Sequence, residues 1–268
     1  MKKFILAIMV LLMAAGLHAA KKTPTQVLLT PEQEADKMYT ERNAVTDTAK
    51  AAETADKCVE DYKKLFEAAP TDQLFYKYVR AVDFKNNNFI DDKEARKKAY
   101  KDMIAVMEKF CDGNTLCASS SYMTYCTFTL WGRYGDIIDV MEAATGGIAG
   151  KIKDNAEKLY ASDRTFKNSV ASLVLGRLHY KAPNIPLVMM WPDRNLSKKY
   201  LEEFMAANPD SIEGRVYLAD TLWDTGDKDR AAALYKEAVK TQPRTTDYFD
   251  DVNDIKECAS RMKELGIQ

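Results

Sequence analysis

Residues 209–243 have the sequence PDSIEGRVYLADTLWDTGDKDRAAALYKEAVKTQP. Apolar and small side chains recur in this stretch with the period of an α-helix, first before Gly226 and again after it. The residues that carry the pattern are Leu218, Ala219, Leu222, Ala231, Tyr235 and Ala238. A glycine followed by an aspartate is typical of a turn that ends one helix and starts another. The stretch therefore predicts a helical hairpin whose first helix begins with a capping box between Asp210 and Glu213.

This hairpin is one unit of a degenerate repeat. Pro209 and Pro243 are 34 residues apart, which is the spacing of tetratricopeptide repeats. At the same offset, the residues Ser197, Leu201 and Phe204 correspond to Ala231, Tyr235 and Ala238. In the preceding unit, Leu175 and Gly176 match the first helix, but the second helix begins only near Asp193. An apolar insertion, residues 181–191, accounts for the delay.

Helical periodicity continues over residues 31–265, and no stretch alternates apolar and polar residues as a strand would. The sequence therefore predicts an all-α, tetratricopeptide-like solenoid of helical hairpins with an inserted apolar loop. A last amphipathic helix, about residues 252–265, is expected to cap it. No Ser-, Pro- or Gly-rich linker divides the chain, so we expect a single domain over residues 31–268.

The first 20 residues have the features of a secretory signal peptide. Lys2 and Lys3 precede an apolar run at residues 4–12, and cleavage is expected near Ala19 or Ala20. The apolar run is shorter than the ~20 residues that span a membrane, so no membrane span is expected. No cysteine lies near the cleavage site, so there is no lipobox. The sequence predicts a periplasmic protein with a short N-terminal extension, residues 21–30.

Charge and histidine content limit the classes of function. Lys+Arg 39 against Asp+Glu 40 gives a net charge of −1, and loss of Lys2 and Lys3 makes it −3. Because no basic excess remains, no nucleic-acid partner is expected. Of the two histidines, His18 lies in the signal peptide, which leaves His179. A multi-histidine metal site is therefore excluded, and no cofactor is predicted.

Five cysteines enter an oxidising compartment, and an odd number leaves at least one of them unpaired in a monomer. Cys111 and Cys117 flank a turn and form the easiest pair to close. Instead of forming disulfides, Cys58, Cys126 and Cys258 could be unpaired cysteines that pack as small apolar residues in the core.

The candidate binding residues belong to three groups, each with a structural alternative. Apolar residues of the insertion either form an adaptable binding wall or fold back onto neighbouring helices; they are Ile185, Leu187, Met189, Met190 and Trp191. Arg133 and Arg177 either bind the carboxylate of an organic-acid solute or form internal ion pairs. Four aromatic residues near Arg133 either line a cavity or pack between helices; they are Tyr122, Tyr125, Trp131 and Tyr134.

His179 would have to serve any hydrolase or lyase, because the mature chain has no other imidazole. It occupies a repeat position where a hydrogen-bonded core side chain is expected. No Gly-x-Ser-x-Gly element is present to hold a nucleophile. The sequence therefore predicts that the protein is not an enzyme, with a helical hydrolase or lyase using His179 as the enzymatic alternative.

Three segments together resemble the T-component of TRAP transporters, the TatT-type family of periplasmic tetratricopeptide-repeat proteins. They are LWGRYG at 130–135, LVLGRLHYKAPNIP at 173–186, and the repeats from Asp193 to Pro243. The resemblance implies a homotrimer with an apolar cavity or pore in each protomer, and a periplasmic solute-binding protein of a TRAP-type transporter as partner. It also implies an apolar or amphipathic ligand. The alternative from another class is a general envelope scaffold for protein interactions.

Overall fold

A computed structural model describes residues 29–44, 46–185, 187 and 189–268. The predicted signal peptide and most of the predicted N-terminal extension lie outside these ranges. The described residues form helices α1 (Pro31–Glu41), α2 (Thr48–Ala68), α3 (Asp72–Phe89), α4 (Lys93–Cys111), α5 (Thr115–Ser119), α6 (Ser121–Gly135), α7 (Val140–Thr145), α8 (Ile148–Ser162), α9 (Phe166–Lys181), α10 (Arg194–Ala207), α11 (Ile212–Asp224), α12 (Lys228–Lys240) and α13 (Tyr248–Leu265). No β-strand occurs among them, so the predicted all-α class is confirmed.

Neighbouring helices pack side by side as helical hairpins do, with α2 against α3, α9 against α10 and α11 against α12. The small and apolar positions of the repeat form the interfaces. Leu201, Ala231, Tyr235 and Ala238 have no exposed surface. Gly176 faces Leu201 so closely that a methyl group on the glycine would lie 2.5 Å from Leu201 Cγ. The predicted small residues therefore set the distance between paired helices.

Helix α13 covers the last hairpin, as the sequence predicts. Cys258 is fully buried in one apolar cluster with Leu218 and Tyr235, and Ile255, Met262 and Leu265 of the same helix pack against this cluster. The same helix also reaches back to α3, where Asn88 Nδ2 donates to Asp250 Oδ1 at 2.8 Å. The C-terminal helix thus contacts an early part of the chain as well as the hairpin of α11 and α12.

Hydroxyl side chains cap the starts of α1 and α11, and the cap of α11 differs from the predicted one. Thr30 and Gln33 form a reciprocal capping box at the start of α1. At the start of α11, Ser211 is the N-cap, because its Oγ accepts the N–H of Gly214 at 3.1 Å. The expected box between Asp210 and Glu213 is therefore wrong, and Glu213 has a different environment, described below.

The cysteines follow the pairing that the sequence favours. Cys111 and Cys117 form a disulfide, and Cys58, Cys126 and Cys258 are free and buried. None of the helices in the described ranges has both the length and the apolar composition needed to cross a membrane.

Candidate functional site

A cavity of about 510 Å³ lies between α6, α7, α8, α9 and α11, beside the insertion. Most of its wall is aliphatic. The apolar lining residues are Ile138, Val140, Ala143, Ala144, Ile148, Ala149, Ile152, Val170, Leu173, Val174, Leu178, Ala182, Pro183 and Met189, with Phe128. A space of this size and composition is typical of a site for a small organic molecule.

Gly132 on α6 helps to keep the cavity open. It lines the space, and a methyl group built on it would meet no atom within 4 Å beyond its own helix. Any larger residue at this position would project a side chain toward the space that Gly132 leaves empty. The glycine of the Gly132-Arg133 pair therefore contributes volume, while the arginine contributes charge.

One end of the cavity opens at the protein surface. Val140 lines the cavity and is 60 % exposed. Nearby, Lys181 Nζ donates to Asp136 Oδ1 at 2.8 Å, and both of these residues are exposed and line the same space. The cavity therefore has a mouth beside α7 and the end of α9.

The interior end of the cavity is polar. Arg133 makes a two-point ion pair with Asp83 of α3, from Nε to Oδ1 at 2.8 Å and from Nη2 to Oδ2 at 3.2 Å. The hydroxyl of Tyr100 donates to Asp83 Oδ1 at 2.9 Å. The attraction of the Asp83 carboxylate raises the pKa of Arg133, against the opposing effect of burial. The guanidinium is thus held in place by an acid of another helix.

Arg177 is also held by the protein. Its Nη1 donates to Asp220 Oδ2 at 2.6 Å, and its Cζ lies 4.0 Å from the centroid of the Tyr217 ring. Its Nε is buried without a hydrogen-bond acceptor in the described part of the chain. Both arginines therefore adopt the internal ion-pair alternative, and neither is a free cation waiting for a carboxylate.

Glu213 is one of the lining residues that the sequence did not predict, together with Asp83 and Tyr217. It lines the cavity from the first turn of α11, and Tyr217 Oη donates to its Oε1 at 2.9 Å. Removal from bulk water raises the pKa of the Glu213 carboxyl, against the opposing attraction of Arg133 and Arg177. In the sequence, Glu213 lies three residues after the potential cap Asp210. This position indicated only a capping role, not a place in a binding site.

The structure brings four of the predicted site residues together at this cavity: Tyr125, Arg133, Arg177 and Met189. Tyr122 lies outside the lining and packs on Tyr76 and Phe166. Trp131 and Tyr134 contact each other edge to face, and Lys151 Nζ lies 3.7 Å from the Trp131 ring centroid. These three aromatic residues follow the alternative of packing between side chains.

The insertion both folds back onto neighbouring helices and contributes to the wall of the cavity, which are the two alternatives that the sequence predicts. Met189 is buried against Ala144 and Ala149, with Ile185 and Trp191 packed beside it. Leu187 and Met190 are 96 % and 67 % exposed. The loop therefore folds back onto α7 and α8, contributes Met189 to the cavity wall, and presents two apolar side chains to solvent.

His179 is placed as a core residue. Its side chain is 2 % exposed, and its Nδ1 accepts the N–H of Asp193 at 3.2 Å. Burial lowers the pKa of the imidazole. It lies between Trp191 and Tyr200, without the accessible position that the enzymatic alternative requires. The described residues also contain no group of three or more potential metal ligands.

Comparison with protein-family models found none that matches this chain. Comparison with curated proteins also found no match.

Proposed function

We propose that the protein is a periplasmic, tetratricopeptide-like binding protein whose cavity holds an apolar or amphipathic small molecule. The observation that carries the proposal is the cavity of about 510 Å³ with a long aliphatic wall and one polar end. An amphipathic molecule would bury its apolar part near Met189 and Ile148 and place its polar group near Arg133 and Glu213. The cavity's mouth beside Val140 supplies an entry.

The cellular role in this proposal is docking to a solute-binding protein of a TRAP-type transporter, as a homotrimer. This part is supported by the resemblance of segments 130–135, 173–186 and 193–243 to the TatT-type family. The mature chain would receive the ligand from that partner or pass the ligand to it. Binding in the cavity and docking are separable, so each has its own experiment.

Binding is tested with N-phenyl-1-naphthylamine, a neutral dye whose fluorescence rises in apolar surroundings. The decisive variant is Gly132→Leu, which places a side chain in the cavity without a clash at Cβ. Its matched control is Gly150→Leu, because Gly150 is also helical with open space at Cβ but does not line the cavity. We expect Gly132→Leu to weaken dye binding at least about tenfold and Gly150→Leu to leave it within twofold of the wild type. Equal affinities for all three proteins would refute the proposed site.

Docking is tested by passing periplasmic extract of the source cell over the immobilised mature protein and identifying what binds by mass spectrometry. We expect recovery of a TRAP-type solute-binding protein, and a trimer of the free protein by sedimentation. Recovery of outer-membrane assembly factors alone would favour the scaffold alternative instead.

A further inference from the structure

The charges around the cavity identify what kind of polar group its ligand carries. Each cationic side chain of the lining already has an acidic partner; the pairs are Arg133 with Asp83, Lys181 with Asp136, and Arg177 with Asp220. Within the described residues, Glu213 is the one acid of the lining that has no ion pair. The lining therefore offers a ligand one unpaired carboxyl and, among the described residues, no unpaired cation.

Two further acids without an ion-pair partner in the described part of the chain lie near Glu213. Asp250 and Asp254 of α13 form no ion pair within the described ranges and lie near enough to interact electrostatically with Glu213. Arg133 and Arg177 attract the Glu213 carboxylate, but each already forms an ion pair with an acid of another helix, Asp83 and Asp220. A ligand carboxylate would thus find no unpaired cation among the described lining residues and would be repelled by the Glu213 carboxylate, which costs free energy.

An ammonium group of a ligand would be attracted to this end of the cavity instead of being repelled. It would pair with a carboxylate that now has one hydrogen bond, from Tyr217, and its positive charge would favour the ionised form of Glu213. The aliphatic wall begins beside this end, since Leu173 and Val174 lie on α9 one turn before Arg177. Head and tail of an amphipathic amine would therefore both find suitable surroundings.

We propose that the cavity is specific for amphipathic amines, with Glu213 as the acceptor of the protonated amino group and the aliphatic wall as the site of the hydrocarbon part. This inference rests on the proposed function, because it requires that the cavity binds a small molecule. It replaces the organic acid suggested by Arg133 and Arg177 in the sequence with a ligand of opposite charge.

The test compares three probes that share one hydrocarbon chain: octylammonium, octan-1-ol and octanoate. Isothermal titration calorimetry of the full mature chain at pH 7.5 is expected to give the order octylammonium, then octan-1-ol, then octanoate, from tightest to weakest. In Glu213→Gln we expect octylammonium to bind at least about tenfold more weakly, with octan-1-ol within twofold of the wild type. Binding of octan-1-ol also reports that the variant's cavity is intact.

The control is Glu142→Gln, which removes an exposed acid of α7 that does not line the cavity. It is expected to leave all three affinities within twofold. Tightest binding of octanoate to the wild type, or an unchanged octylammonium affinity in Glu213→Gln, would overturn the amine specificity while leaving the binding function standing. Failure of all three probes to bind would overturn the proposed function and this inference with it.

Discussion

Arg133 of α6 and Asp83 of α3 are 50 positions apart in the chain and meet through two parallel contacts of 2.8 and 3.2 Å. Two-point pairing fixes the plane of the guanidinium as well as its position. Because both residues line the cavity, the pair joins the first half of the chain to the wall of the site. Its integrity should matter for stability.

Asp83→Asn is expected to lower the free energy of unfolding by about 2 to 3 kcal/mol, because Arg133 would lose its counter-charge in a largely buried place. The measurement is urea unfolding followed by circular dichroism. Asp102→Asn is the control, since Asp102 pairs with Lys98 at 2.6 Å on an exposed surface. That change should cost less than about 0.5 kcal/mol. If the two variants lost similar amounts of unfolding free energy, the pair of Arg133 and Asp83 would not stabilise the fold more than an exposed ion pair does.

Gly176→Ala is expected to destabilise the protein by about 1 to 3 kcal/mol, because its methyl group would overlap the buried Leu201 side chain. Gly132→Ala has the opposite expectation. Its methyl group meets no neighbour, and alanine is favoured over glycine within a helix by about 0.5 to 1 kcal/mol. Thermal unfolding of both variants measures the contrast. A higher melting temperature for Gly176→Ala would show that α9 and α10 do not need the close approach.

The sequence predicts the helices well because their pattern is local. The spacing of Ala231, Tyr235 and Ala238 identifies a buried face directly, and all three have no exposed surface. The insertion could be located for the same reason, since its delay of the repeat is visible along the chain. Which of its side chains are buried and which are exposed depends on how the insertion packs against α7 and α8. That packing is a long-range contact, which no local sequence pattern specifies.

The charge of the site could not be predicted in this way. Arg133 and Arg177 were recognisable, but their partners Asp83 and Asp220 are 50 and 43 positions away. Glu213 occupies a helix position where glutamate is common as a capping partner. Whether such a carboxyl is paired depends on the side chains that folding brings near it, so its importance appears only in three dimensions.

The number of cysteine thiols that react with a thiol reagent can be predicted for the folded, the denatured and the reduced protein. In the folded protein we expect no rapid reaction with a thiol reagent, because Cys58, Cys126 and Cys258 are buried. Three thiols should react in denaturant and all five after reduction. Burial of Cys58 and Cys258 raises the pKa of each thiol to about 11, which further slows their reaction.

The disulfide should also contribute to stability. Cys111 and Cys117 close a loop with a sequence separation of 6, for which chain entropy predicts a loss of about 2 kcal/mol when the bond is removed. The double variant Cys111→Ser with Cys117→Ser is compared with the wild type in urea. Adding a reductant should destabilise the wild type and leave the double variant unchanged. A double variant as stable as the oxidised wild type would argue against a stabilising disulfide.

Asp254 and Asp251 lie on the same helix and should respond in opposite ways to replacement by asparagine. Burial, followed by the repulsion of Glu213, raises the pKa of Asp254 well above its ordinary value, and it has no ion pair among the described residues. Above about pH 4, Asp254 has lost its proton in the unfolded chain but still holds it in the folded protein. The free energy of unfolding therefore falls as the pH rises above about 4. Asp254→Asn should raise the free energy of unfolding at pH 8 by about 1 kcal/mol, and at pH 5.5 by no more than at pH 8. Asp251 is fully buried and accepts from Arg244 Nε at 2.9 Å and Nη2 at 2.6 Å, so Asp251→Asn should cost about 2 to 3 kcal/mol at both pH values. Urea unfolding at the two pH values measures both, and a loss of stability in Asp254→Asn at pH 8 would show that its carboxylate has a favourable partner.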